Sequence, residues 1–171
     1  MATFVLATWV VQLAHSQGDE DGLAMAHHQV VPFYPAASDD AHEGFVRIIN
    51  HSPRAGEVRI VATDGEGTRF PTVTLAMRPG ETEDIYSDDL EEGNAAKGLD
   101  GGTGTGVGDW WLSLSSRLDI EVPSYVRAQS DGLLSSMHDA VPMVENGDYF
   151  VPIFKPASDE SGVSWLRLIN P

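Results

Sequence analysis

The chain contains the stretch VPFYPAASDDAHEGFVRIINH at residues 31–51, which predicts two β-strands joined by a turn. Pro32 and Pro35 disfavour a helix, and the run VVPFY at residues 30–34 has the composition of a strand. Ser, Asp and Asp at residues 38–40 predict a turn. The run FVRIIN at residues 45–50 is dense in β-branched residues and favours a second strand.

This stretch occurs twice. It returns as VPIFKPASDESGVSWLRLINP at residues 151–171, without a gap and at a constant offset of 120 residues, from Val31 to Val151. Eight of the 21 aligned positions are identical: Val31/Val151, Pro32/Pro152, Ala37/Ala157, Ser38/Ser158, Asp39/Asp159, Arg47/Arg167, Ile49/Ile169 and Asn50/Asn170. A fixed period indicates a repeat architecture. We therefore predict one β-sandwich module at residues 27–148 and the start of a second, truncated repeat at residues 149–171.

The remainder of the module also has strand composition. We expect strands at residues 57–63, 72–77, 82–86, 109–115, 118–127 and 133–138, with Pro123 marking an edge strand or a bulge. Ser87 is a candidate N-cap for a single helical turn at residues 88–92. The pattern predicts an all-β fold, an Ig-like antiparallel β-sandwich of seven to eight strands with one long Gly-rich loop. The apolar members of the alternating runs are predicted to form its core: Val46, Ile48, Val58, Ile60, Val73, Leu75, Trp110, Leu112, Leu114, Ile120 and Val122.

The composition is strongly acidic, with 26 Asp and Glu against 10 Lys and Arg and no Cys. This balance argues against nucleic acid and anionic membranes as partners, because both require a basic surface. The lack of Cys excludes disulfides and thiolate metal sites. Residues 1–26 are interpreted as a signal-like segment followed by an acidic linker, with a strand of a preceding module as the alternative for the apolar run at residues 4–13.

The run GLDGGTGTGVGD at residues 98–109 contains no phosphate-loop or dinucleotide fingerprint, so a flexible or tightly turning surface loop is the first interpretation. Acidic residues surround it, and hard cations prefer carboxylate oxygens. Candidate ligands of a weak Ca²⁺ site are Asp84, Asp88, Asp89, Asp100 and Asp109; a solvated acidic face is the alternative.

Three further side chains are candidates for ligand binding: Trp111, His138 and Asp139. Trp110 and Trp111 are adjacent in a predicted strand and point to opposite faces, so one should lie in the core. The other should be exposed or lie under the Gly-rich loop, where it could stack on a sugar. Asp139 could orient His138, although no nucleophile elbow accompanies the pair. Asn50-His51-Ser52 matches a glycosylation sequon, but a turn-forming role for Asn50 explains its recurrence as Asn170 better.

Several segments together resemble a repeat module of large secreted or surface proteins of bacteria, where it occurs in tandem. They are HHQVVPFYPAAS, GFVRIINHS, GEVRI, SDDLEEGNAAKGLDGGTGTGVGDW, LDIEVPSYVR and DGLLSSMHD. The resemblance covers about residues 31–171 and implies an Ig-like, extracellular or cell-surface unit without catalytic residues. The chain differs from the tandem proteins at its N-terminal side, where the signal-like segment directly precedes the module.

The leading hypothesis is therefore a non-catalytic structural or adhesive module that needs no cofactor and has neighbouring repeats as partners. The alternative is a module that binds carbohydrate or Ca²⁺ at residues 87–111, with surface polysaccharide as a partner. A hydrolase built on His138, Asp139 and the acidic loop is a third hypothesis. Residues 165–170 are expected to form a strand that packs beside residues 30–34 of the same chain or, alternatively, pairs with another copy.

Overall fold

The computed structural model describes residues 27–132, 134–139 and 141–142, and for 135–139 and 141–142 it describes the backbone alone. Within them two antiparallel sheets pack as a sandwich, so the predicted antiparallel β-sandwich is confirmed. The predictions for residues 1–26 and 149–171, including the strand at 165–170, lie outside the described residues. No helix in the described part is long and apolar enough to cross a membrane.

The strands of sheet A are β1 (His27–Pro35), β3 (Gly56–Thr63), β4 (Val73–Met77), β6 (Leu99–Asp100), β7 (Asp109–Ser116) and β11 (Val141–Pro142). Those of sheet B are β2 (His42–Asn50), β5 (Thr82–Tyr86), β8 (Ile120–Glu121), β9 (Pro123–Ala128) and β10 (Leu134–Asp139). Sheet A has the order β11-β1-β7-β3-β4-β6, and sheet B has the order β10-β9-β2-β5 with β8 paired to β2. A short helix, α1 (Ser87–Glu92), and a 3₁₀ turn (Ala95–Lys97) follow β5. Eight of these strands have five residues or more, in line with the predicted seven to eight.

All eleven predicted core residues are buried. In β3, for example, Val58, Ile60 and Ala62 alternate with residues of the outer face and are fully buried between the sheets. Tyr34 joins the sheets, because its hydroxyl donates a hydrogen bond of 3.0 Å to the carbonyl oxygen of Ile85. Burial raises the pKa of the Tyr34 phenol well above its usual range, so the group remains a donor.

Two sequence predictions about elements were wrong, one on residues 118–127 and one on the N-cap of α1. Residues 118–127 form two strands, β8 and β9, rather than one, and β9 lies between β2 and β10 instead of at an edge. Pro123 is tolerated there because it is the first residue of β9. The strand composition at residues 30–34 is confirmed, since β1 covers His27–Pro35 and pairs with β7 through an irregularity between Val31 and Tyr34. Ser87 does not cap α1: Tyr86 holds the N-cap position.

Candidate functional site

The predicted site, residues 87–111, begins with α1, whose start is held by Asp89. Its carboxylate accepts hydrogen bonds from the backbone N–H of Tyr86 at 3.0 Å, from Asn94 Nδ2 at 2.6 Å and from Lys97 Nζ. Burial alone would raise the pKa of Asp89, but the bonds from Lys97, Tyr86 and Asn94 outweigh it and lower the pKa. Asp89 is therefore a buried, fully engaged anion at neutral pH.

The Ser87 hydroxyl connects α1 to both sheets. Ser87 is buried as the first residue of the helix, and its Oγ lies 2.7 Å from the carbonyl oxygen of Pro35 and 3.2 Å from that of Gly44. A buried hydroxyl needs a partner, and the ends of β1 and β2 supply two acceptors. The hydroxyl therefore holds the helix to β1 and β2 instead of capping its own N-terminus.

The Gly-rich loop packs closely on α1. The backbone N–H groups of Thr103 and Gly104 donate to the carbonyl oxygens of Leu90 and Glu91 at 2.9 and 3.0 Å, which satisfies two groups at the helix C-terminus. A Cβ at Gly102 would lie 2.5 Å from the Glu91 carbonyl oxygen. Glycine is required here because two backbone segments touch. The loop interpretation holds, but these glycines serve close packing.

The far end of the loop covers the core. A Cβ at Gly106 would lie 2.0 Å from Cζ2 of Trp110, so the loop backbone rests on the edge of that buried indole. Ser38 Oγ donates to the Gly106 carbonyl oxygen at 2.9 Å, and Glu91 Oε1 accepts from the N–H of Ala37 at 2.8 Å. The loop and α1 are thus both bonded to the turn between β1 and β2.

The five predicted Ca²⁺ ligands are spread over four elements: Asp84 on β5, Asp88 and Asp89 on α1, Asp100 on β6 and Asp109 at the start of β7. Two of them already have cationic partners, since Asp84 forms a bidentate pair with Arg47 at 2.8 and 2.9 Å and Asp89 pairs with Lys97. Among the described residues, no group of three or more His, Asp or Glu side chains could hold a metal ion. The fold does not bring the predicted ligand set together.

The other candidates lie on the strands β7 and β10. Trp110 lies in the core against Phe70, with ring centroids 4.8 Å apart, and Trp111 is only 9% exposed. The interpretation of Trp111 as an exposed ring for sugar stacking is therefore not supported. His138 and Asp139 are consecutive positions on β10, opposite Ser124 and Pro123 of β9.

Sequence reasoning missed an aromatic row on the outer face of sheet B. Phe45 lies between Tyr86 and Tyr125 on the neighbouring strands, with ring centroids 5.1 and 4.7 Å away and planes 28° and 11° apart. Arg127 lies over the Phe45 ring and Lys97 over the Tyr86 ring. The row stabilises the sheet through cross-strand pairing of aromatic rings.

Comparison with known proteins identifies no family. No protein-family model matches the chain, and no curated protein matches it. Among solved structures, the crystal structure of Thermotoga maritima 1070 is similar, with 11% sequence identity and a TM-score of 0.47. The match covers 74% of this chain and all of that one. A similarity this distant transfers no property to the present chain.

Proposed function

We propose that residues 27–148 are one unit of a tandem array in a larger extracellular or cell-surface protein, where they act as a structural or adhesive module without catalysis. One observation carries the proposal: the residues that recur in residues 151–171 include those whose side chains fix the β1–β2 region. Recurrence of such residues at a constant offset supports a second copy of the same fold.

Asn50 is the clearest of these residues. It is fully buried, its Nδ2 donates to the carbonyl oxygens of Arg54 and Arg78 at 3.0 and 2.8 Å, and its Oδ1 accepts from the N–H of Ser52 at 2.9 Å. One amide thus holds the turn after β2 against the turn after β4. Asparagine recurs at residue 170, although the residue after it changes from His51 to Pro171.

The turn between β1 and β2 shows the same relation. Asp39 Oδ1 accepts from the N–H groups of Ala41 and His42 at 2.8 and 3.1 Å. Its neighbour Ser38 bonds the Gly-rich loop, as described above. Both residues recur, as Ser158 and Asp159. Arg47, which pairs with Asp84, recurs as Arg167.

The charge is compatible with this role. A formal net charge of −16 keeps a chain soluble and disfavours collapse of neighbouring acidic units onto one another. Neighbouring repeats are then the main partners, and surface polysaccharide is the partner in an adhesive variant of the proposal.

Completing the second unit tests the proposal. Residues 52–142 are appended after Pro171, so that each repeated position is followed by the sequence that follows it in the first unit. We expect two folded units, seen as about twice the unfolding enthalpy of the original chain, since that enthalpy scales with the number of folded residues. As a matched control, Asn50→Ala should weaken one unit and Asn170→Ala the other. An appended segment that stays unfolded would refute the tandem interpretation.

Ligand tests separate this proposal from its alternatives. A ligand that binds only the folded chain raises its melting temperature by mass action. The carboxylates of Asp84 and Asp89 already pair with basic side chains. We therefore expect that millimolar Ca²⁺ does not raise the melting temperature. A rise in melting temperature that Asp88→Asn abolishes would instead favour a Ca²⁺ module. Retention of the protein on polysaccharide would favour a carbohydrate module. Turnover of a substrate that is lost in His138→Ala would favour a hydrolase.

A further inference from the structure

The place of residues 27–51 in the sandwich is defined by a small set of side chains; we call this place the β1–β2 position. Val31, Val46 and Ile48 are fully buried in it, Arg47 pairs with Asp84 across to β5, and Asn50 bonds two turns. At an offset of 120 residues the chain supplies Val151, Leu166, Leu168, Arg167 and Asn170. The apolar, ion-pairing and turn-bonding residues named here are thus present a second time in the same molecule.

β11 leads the chain to the place where that second set is needed. It runs antiparallel to β1, with Val141 opposite Val30 and Pro142 opposite Gln29. By the offset of 120, residues 149 and 150 correspond to Gln29 and Val30, so in the place of β1 they would keep this register with β11. Residues 143–148, Met-Val-Glu-Asn-Gly-Asp, then form the connection, and they contain an Asn-Gly pair, which is typical of turns.

We infer that residues 149–171 can occupy the β1–β2 position of their own module in place of residues 27–51. Residues 52–171 would then contain every segment of the module once, in circularly permuted order. This inference goes beyond a tandem array, because it makes two segments of one chain compete for one place. It uses the same sequence repeat as the proposed function but does not require that a second unit can fold beside the first.

Two departures indicate that the second segment fits less well. Phe154 stands where Tyr34 donates its hydroxyl to Ile85, so that bond between the sheets is lost. Ser164 stands where Gly44 approaches Cδ of Pro35, to which a Cβ would come within 2.7 Å. The second difference is partly offset, because Lys155 replaces Pro35 in the repeat. Residues 27–51 should therefore fill the position whenever they are intact.

Disabling the first segment in the full-length chain tests the inference. Ile48→Asp places a charge in the core and excludes residues 27–51 from the position. Since Leu168 can replace Ile48, we expect a cooperative urea transition to remain, with a midpoint below that of the wild type. Ile48→Asp combined with Leu168→Asp should abolish it. The matched control is Ile60→Asp, because Ile60 is equally buried but lies on β3, for which the chain has no second copy.

An Ile48→Asp chain that loses its transition as completely as the Ile60→Asp chain overturns the inference. Ile48→Ala and Ile60→Ala repeat the comparison with milder changes: equal falls in the urea midpoint would contradict it, and a clearly smaller fall for Ile48→Ala would support it.

A disulfide reports which segment fills the position. Ile49 lies opposite Thr82 in the β2–β5 pairing, and Ile169 is its repeat. The chain has no cysteine, so Thr82→Cys with Ile169→Cys introduces a single possible intrachain bond. We expect it to form within one chain in the Ile48→Asp background and to form poorly without that change. Bonds between two chains would overturn the inference and assign the position to a second copy.

Discussion

Removal of the Asn50 amide should destabilise the module strongly, because this one side chain connects two turns. Asn50 makes three hydrogen bonds while fully buried, two from Nδ2 and one to Oδ1. A net contribution of about 0.5–1.5 kcal/mol for each bond gives a loss of roughly 1.5–4.5 kcal/mol for Asn50→Ala. The measurement is the free energy of unfolding in urea, followed by far-UV circular dichroism. The reference chain and the Asn50→Ala chain both carry Asn170→Ala, so that the repeat cannot supply the missing amide.

The isosteric change Asn50→Asp separates hydrogen bonding from volume. It keeps the acceptor for Ser52 but places an oxygen where Nδ2 now donates to the carbonyl oxygens of Arg54 and Arg78. Burial beside two carbonyls raises the folded pKa of the new carboxyl above its unfolded value of about 3.9. Stability is then lost as the pH rises from about 4 through the folded pKa. The Asp variant should therefore fall further below the Ala variant at pH 7 than at pH 4. A loss below about 0.5 kcal/mol for Asn50→Ala would refute the role given to this residue.

Three further outcomes follow from the structure. Ile60→Ala should cost about 2–5 kcal/mol because it empties a fully buried position, and a loss below about 0.5 kcal/mol in urea unfolding would contradict the placement of β3. Gly106→Ala should destabilise by about 1–3 kcal/mol through its clash with Trp110, whereas Gly65→Ala, where a Cβ meets only ordinary contacts, should be close to neutral. Asp89→Asn should destabilise most at neutral pH. Because folding lowers the pKa of Asp89 from its ordinary value of 3.8, the ionised carboxylate stabilises the fold at any pH above that value. That difference should close as the pH falls through the folded pKa, which urea unfolding from pH 7 to pH 3 would follow.

The core could be predicted from the sequence because it depends on a local rule. In β3 and β7 every second residue faces the other sheet, so Ile60 and Leu114 are placed inside by alternation alone. The row formed by Tyr86, Phe45 and Tyr125 could not be predicted in that way. Its members come from three strands distant in the chain, and only the register of β5, β2 and β9 brings them together.

The candidate site shows a second limit of sequence reasoning. Ser87 precedes two acidic residues and a leucine, which is the local signature of a helix N-cap. Its hydroxyl instead bonds to carbonyl oxygens at the ends of β1 and β2. These acceptors are distant in the sequence, so the residues around Ser87 do not indicate them. The Gly-rich run likewise predicted a flexible or tightly turning loop, but its composition did not indicate that Gly102 and Gly106 are needed where backbone meets backbone and where backbone meets Trp110.

Two of the positions that recur in the repeat hold turns of the module. Asp39 and Asn50 recur, and both bond backbone groups within the module. Glu43 pairs with Arg127 on the outer face of sheet B and is replaced by Val163 in the repeat. The contacts that hold these turns are needed in each unit of an array, whereas the ion pair of Glu43 on the outer face is not repeated and can differ between units. If the module is adhesive, its specificity should therefore reside in outward positions such as Glu43, and exchanging that residue should alter binding to a partner without changing stability by more than about 0.5 kcal/mol.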